Sequence, residues 1–166
     1  MYREQKICRG PLAASFNALP NTSWVPNINI SFSKKFGNEN DLYADYDSGR
    51  PDAFVFHNGR IFCVECKAAV GRFPLNDWSL SQRNWYEKIV KPSKTAYLIG
   101  LAFLESEISN EPDLYLLPAA RLLQYEFMRS EKSISFEDAM FSFGDYSLTK
   151  VSRRLYSVEK CFDYSV

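Results

Sequence analysis

Apolar and polar positions along the chain alternate with two periods, and the change from one to the other marks out its elements. Leu12, Phe16 and Leu19 recur at helical spacing and predict an N-terminal helix over residues 2 to 19, with Gly10-Pro11 as its point of interruption and Pro20-Asn21 as its end. Trp24, Ile28, Ile30 and Phe32 then follow the period of a strand, placed from about Asn27 to Lys35. Residues 37 to 49 lose this pattern and gain Glu39, Asp41, Asp45 and Asp47, which predicts an acidic, turn-rich loop. Trp78, Gln82, Trp85 and Ile89 return to helical spacing, for a helix from about Ser79 to Lys91 with one buried face. TAYLIGLAFL, residues 95 to 104, is a continuous apolar run of strand length, as a central strand covered on both faces requires. A further strand is expected from Asp113 to Leu117 and a helix opened by Pro118 and ending near Met128. A short helix over Ser135 to Phe141 turns Phe136, Ala139 and Met140 inward, and the tail from Lys150 onward is either an edge strand or an irregular cover.

The most informative stretch is GRPDAFVFHNGRIFCVECKA, residues 49 to 68. Asn58-Gly59 is a strong hairpin signal, because a type I′ turn needs positive φ at both central positions. Folding there sets His57 against Arg60, Val55 against Phe62 and Ala53 against Val64, and brings Asp52 opposite Glu65. Lys67 returns to the Glu65 face two residues later. Adjacent like charges are destabilising unless a cation lies between them. A hard divalent ion with oxygen ligands answers that need, and the nearby ammonium suits an anionic substrate. The residues alone therefore read as a metal-dependent site for phosphate chemistry. The bland alternative is a half-exposed hairpin carrying a Glu-Lys surface pair worth about 0–1 kcal/mol. Against it stand the apolar Phe62, Val64 and Cys66 on the other face of the strand.

Composition adjusts this picture in a few places. The 20 basic and 20 acidic residues cancel, which excludes a wholesale basic nucleic-acid binder. The basic excess lies in residues 1–100 and the acidic excess in 101–166, so a DNA-facing surface is expected from the first hundred residues. Cys63 and Cys66 have metal-motif spacing, but residues three apart in a strand face opposite ways, which argues against a shared zinc. The sparse, unpatterned cysteines fit a reducing compartment, and no apolar run is long enough to span a membrane. A cytoplasmic protein is expected. His57 adjoins the turn, remote from the carboxylates, and is expected at the surface without a catalytic part.

Pro51-Asp52 followed by Glu65-Cys66-Lys67 resembles the PD-(D/E)XK nuclease signature, and Gln82 with Tyr86 resembles the QxxxY element of some of its branches. The stretch from Arg50 to Tyr86 is most similar to RecU-type Holliday-junction resolvases and related phage nucleases, which carry a longer, stalk-forming insertion where this chain has the acidic segment 37–49. The resemblance implies one α/β domain over residues 1–166 with a restriction-endonuclease-like core, a central mixed β-sheet flanked by helices in the order αβββαβ. It implies a Mg2+-dependent DNA endonuclease, with Mn2+ able to substitute, leaving 5′-phosphate and 3′-hydroxyl ends. Asp52, Glu65 and the Cys66 backbone carbonyl are the implied metal ligands, Lys67 orients water or neutralises phosphate charge, and Gln82 completes the catalytic set.

Glu4 is either a further member of the site or a helix-end residue complementing the dipole. Gln82 is either a site residue or the N3 partner of a Ser79 capping box, and Tyr86 is read chiefly as packing. Lys34, Lys35, Arg50, Arg72 and Arg83 are the candidate DNA-binding cations. The expected partner is DNA, branched DNA included, and symmetric cutting calls for a homodimer. The non-enzyme alternative is a DNA-binding or assembly subunit that keeps the nuclease scaffold.

Overall fold

The computed structural model describes residues 2–27, 49–109 and 111–164. Lys34, Lys35, the acidic segment up to Ser48 and nearly all of the strand expected from Asn27 lie outside them. Strand β3, Arg60–Val70, is the axis of the sheet. On one side it pairs antiparallel with β2, Ala53–His57, which pairs antiparallel with β1, Thr22–Pro26. On the other side it pairs parallel with β5, Ala96–Leu104, which pairs antiparallel with β6, Asp113–Pro118. Past a turn at Gly71, the short β4 (Arg72–Pro74) extends the end of β3 and pairs with β7, Ser133–Ser135, to complete a mixed sheet of seven strands. Among the described residues the elements run helix, three strands, the short β4, helix, two strands, helix, β7, helix and a final two-stranded hairpin.

The hairpin register is the expected one from His57–Arg60 to Ala53–Val64. Asn58 (φ 47°) and Gly59 (φ 78°) supply the two left-handed positions the turn demands. All nine residues of β5 are buried, as an apolar run between two helical layers should be.

Helix α1 occupies Tyr2–Glu4, a π-helical turn at Gln5–Arg9 and Gly10–Asn17. The interruption expected at Gly10-Pro11 is replaced by this wide turn. Proline has no N–H to offer the preceding turn, and the helix absorbs the defect by lengthening one set of bonds instead of breaking. Leu12 and Phe16 of α1 pack on one face of the sheet against Val55, Phe62, Val64 and Leu98. The tail covers the same face with Val158, Cys161 and Phe162, its small hairpin β8–β9 (Lys150–Ser152 and Leu155–Tyr156) standing apart from the main sheet. Buried Ser15 fastens the two together, donating to the Pro11 carbonyl (2.7 Å) and accepting from the Tyr156 N–H (2.8 Å). The tail is thus a cover and not an edge strand. His57, expected at the surface, is half-buried beneath it, its ring stacked on Phe162 at 3.6 Å.

The other face carries α2 (Leu80–Trp85, a π turn at Tyr86–Val90, and Lys91–Ser93), α3 (Ala119–Met128) and α4 (Phe136–Phe143). Two inward expectations fail there. Ile89 is 41 % exposed because the π turn rotates it off the apolar stripe, and Met140 is 53 % exposed because Ala139 and Phe143 form the buried face of α4. Among the described residues no helix is long and apolar enough to cross a membrane.

Candidate active site

β3 outruns β2, and the site lies where β2 gives out. The ladder ends at Ala53–Val64, and among the described residues no strand pairs with the edge of β3 beyond Val64 on that side. Asp52 fills the gap. It does not stand beside Glu65 on the pleat, as the extrapolated register predicts, but turns inward so that its Oδ2 accepts from the Cys66 N–H at 2.7 Å. The N–H and C=O of one strand residue point to the same side, so the Cys66 carbonyl faces this open edge too.

Three contacts fix the arm that carries Asp52. Asn27, just past β1, donates its backbone N–H to the Asp52 carbonyl (2.8 Å) and its side-chain amide to the Pro51 carbonyl (3.1 Å). Buried Gly49 lies against the first turn of α2, so close that a Cβ there would meet the Ser81 carbonyl oxygen at 2.5 Å. Arg9 of α1 bridges Asp52 Oδ1 and Glu4 Oε1, the latter at 3.2 Å. Sequence reasoning missed Arg9, Asn27 and Gly49. The first comes from a remote element, and the other two act through backbone contacts that leave no motif.

Glu65 is 2 % exposed. Its Oε1 accepts from the Lys67 ammonium at 2.8 Å and from the Gln82 side-chain amide. Its Oε2 is buried and, among the described residues, has no hydrogen-bond partner. Burial, and then the charge of Asp52, push the Glu65 carboxyl up to about 7; the neighbouring Lys67 pulls the other way and is outweighed. Glu4 is raised as well, first by its own burial and next by Asp52, against the pull of Lys67 and Arg9. Three carboxylates and two cations thus act on one another in one partly closed space.

Gln82 makes the capping box that the sequence offered and also touches Glu65. Its Oε1 accepts from the Ser79 N–H (2.9 Å) while Ser79 Oγ accepts from the Gln82 N–H (3.3 Å), which is a complete capping box. Its amide nitrogen remains free to donate to Glu65, so the cap holds the donor in place. Tyr86 packs, with its ring edge-on to Tyr97 at 5.6 Å and tilted against Trp78 at 5.9 Å. Arg83 is committed elsewhere. It donates to the Trp78 (2.8 Å) and Leu75 (2.6 Å) carbonyls, pairs with Glu126 and lies over the Trp78 ring, tying the start of α2 to α3. Arg72 is exposed on β4 and donates to Ser133 Oγ at 2.9 Å; Arg50 is exposed in the turn after Gly49. The structure therefore brings together Glu4, Asp52, Glu65, Cys66, Lys67 and Gln82, and shows no side-chain hydrogen bond or ion pair joining Tyr86, Arg72 or Arg83 to this group among the described residues.

Cys63 and Cys66 point into opposite cores, and all four cysteines are free and buried. Burial pushes the Cys63 thiol up to about 12 and raises Cys66 well above its ordinary value, so both thiols are protonated near neutral pH. Among the described residues no group of three or more His, Cys, Asp or Glu side chains is arranged to hold a metal ion. The donor set nevertheless fits a hard cation that keeps part of its water. A buried carboxylate oxygen lacks a partner among the described residues, a second carboxylate lies close enough to repel it, and the Cys66 carbonyl faces the open edge of β3. No protein-family model matches the chain, and no curated protein does.

Proposed function

We propose that the chain is a metal-dependent DNA endonuclease with a restriction-endonuclease-like core of the PD-(D/E)XK kind, hydrolysing phosphodiesters in branched DNA such as a Holliday junction. The observation that carries this reading is the Glu65 carboxylate. It is buried, fixed on one oxygen by Lys67 and Gln82, and, among the described residues, without a hydrogen-bond partner on the other, while the charge of Asp52 acts on it. Burying a carboxylate this way is costly unless a positive charge completes its surroundings. Asp52, Glu65 and the Cys66 carbonyl are the groups that hold Mg2+ or Mn2+. The ion, when bound, supplies Lewis acidity toward a phosphate oxygen and acidifies water.

The remaining roles belong to the chain. Gln82 keeps Glu65 Oε1 occupied, so that Oε2 is the oxygen presented. Lys67, on the same face and reaching Glu65 at 2.8 Å, carries an ammonium able to orient the attacking water or to neutralise charge growing on the phosphate. Glu4 adds negative potential from α1. Two-fold symmetric cutting of a junction calls for a homodimer, and the reading places the protein in the cytoplasm as one nuclease domain.

A second reading has one observation in its favour. Asp52 already has a cation, Arg9, so the scaffold is also suited to a DNA-binding or assembly subunit without chemistry. Cleavage of supercoiled, flapped and four-way DNA with Mg2+ separates the two. Wild type cuts at least one substrate, while Asp52→Ala and Lys67→Ala bind DNA and do not cut. Equal cutting by Lys67→Ala removes that residue from the mechanism. Binding without cutting by every form, across metals and substrates, selects the second reading.

A further inference from the structure

We infer that a basic groove between α1 and the tail hairpin is a second DNA contact surface, gripping the phosphodiester backbone through Lys6, Lys150, Arg153 and Arg154. The inference rests on the nuclease reading for the identity of its ligand. The groove encloses about 540 Å³ and is lined on one side by α1, at Gln5, Lys6, Gly10 and Pro11, and on the other by the β8–β9 hairpin. These are not the α1 residues that face the carboxylates, which are Glu4 and Arg9. Site and groove therefore share one helix and use different parts of it.

Charge is the argument. The chain is neutral, and residues 101–166 carry an acidic excess, yet this concavity collects four cations against a single carboxylate, Glu111. Glu111 is taken by Lys150 at 2.7 Å. Among the described residues Lys6, Arg153 and Arg154 have no carboxylate partner, and all three are exposed. Like charges gathered in a concavity repel one another, and field lines concentrate there, which raises the local concentration of a polyanion. Two adjacent arginines at the tip of a two-stranded hairpin offer forked donors to successive phosphate oxygens, the geometry for which guanidinium is better suited than ammonium. A polymer of phosphates engages all four cations at once, whereas an isolated phosphate reaches one or two. Three of the four come from residues 101–166, the part of the chain with the acidic excess.

The test is fluorescence anisotropy of labelled four-way and linear duplex DNA, without divalent metal, as a function of salt. Each phosphate contact contributes about 0.9 to the slope of log K against log salt. Arg153→Ala/Arg154→Ala is expected to reduce that slope by about two and to weaken binding roughly tenfold to hundredfold near 0.1 M salt. Lys6→Ala is expected to reduce it by about one. Lys88→Ala/Lys91→Ala, removing the same charge from α2, leaves the slope unchanged. All of these positions are exposed, so urea midpoints equal to wild type show that the variants fold.

An unchanged slope in the double arginine variant, with wild type binding DNA, overturns the groove and leaves the nuclease reading standing. A reduced slope in a protein that never cuts keeps the groove and sinks the nuclease reading. Wild type that binds no DNA overturns the groove. So does inorganic phosphate that displaces DNA more strongly than its ionic strength explains, since that marks a small-anion site.

Discussion

Glu65→Gln reports on the buried carboxylate directly. The folded chain holds the Glu65 proton up to about 7, against an ordinary value of 4.5. Below the ordinary value both folded and unfolded chains are protonated, and the folded state has its full stability. As pH climbs from there, the unfolded chain gives up its proton while the folded chain keeps it, so stability falls; above about 7 both are ionised and the loss stops. At about 1.4 kcal/mol per pH unit this amounts to roughly 3 kcal/mol lost across that window. Glutamine preserves the shape and an acceptor for Gln82 or Lys67 but has no proton to release. Urea unfolding of both proteins between about pH 4 and pH 8 should show wild type losing roughly 3 kcal/mol relative to the variant. Groups remote from Glu65 cancel in the difference. Adding Mg2+ at high pH should restore wild type by an amount that grows with ion concentration, about 2.7 kcal/mol at a hundred times Kd, and leave the variant unmoved. Parallel pH profiles for the two proteins would refute the argument, because they would mean that Glu65 ionises as readily in the fold as outside it.

Arg9→Gln removes the cation that now neutralises Asp52, so Mn2+ affinity followed by calorimetry should rise several-fold; unchanged or weaker affinity would show that Arg9 and the ion do not compete. Gly49→Ala forces a methyl group against the Ser81 carbonyl and should cost about 1–3 kcal/mol in urea, with a loss of cleavage larger than stability accounts for, since it pushes the Asp52 arm off α2. Ser79→Ala should cost about 1 kcal/mol and spare cleavage, whereas Gln82→Ala should lose the cap and the cleavage together. Equal cleavage by the two would confine Gln82 to the cap.

Local rules were enough for the hairpin. Asn58-Gly59 admits one turn type, the turn sets the register, and the period of two then assigns Cys63 and Cys66 to opposite cores without reference to any other part of the chain. The buried run of β5, the capping box at Ser79 and the place of Glu65 beside Lys67 follow from the same short-range physics. Where an outcome depended on residues far apart in the chain, pattern did not suffice. The register carried past Ala53 predicts Asp52 next to Glu65, but only the end of β2 and the free Cys66 N–H turn that carboxylate into the sheet edge. Arg9 meets Asp52 because α1 folds across the strands, and Arg153 and Arg154 line one groove with Lys6 because the tail returns to the same helix. Periodicity says which face of an element is apolar; which remote side chain a charge will find is decided by packing, since electrostatic partners are chosen by proximity in space and leave no period in the sequence.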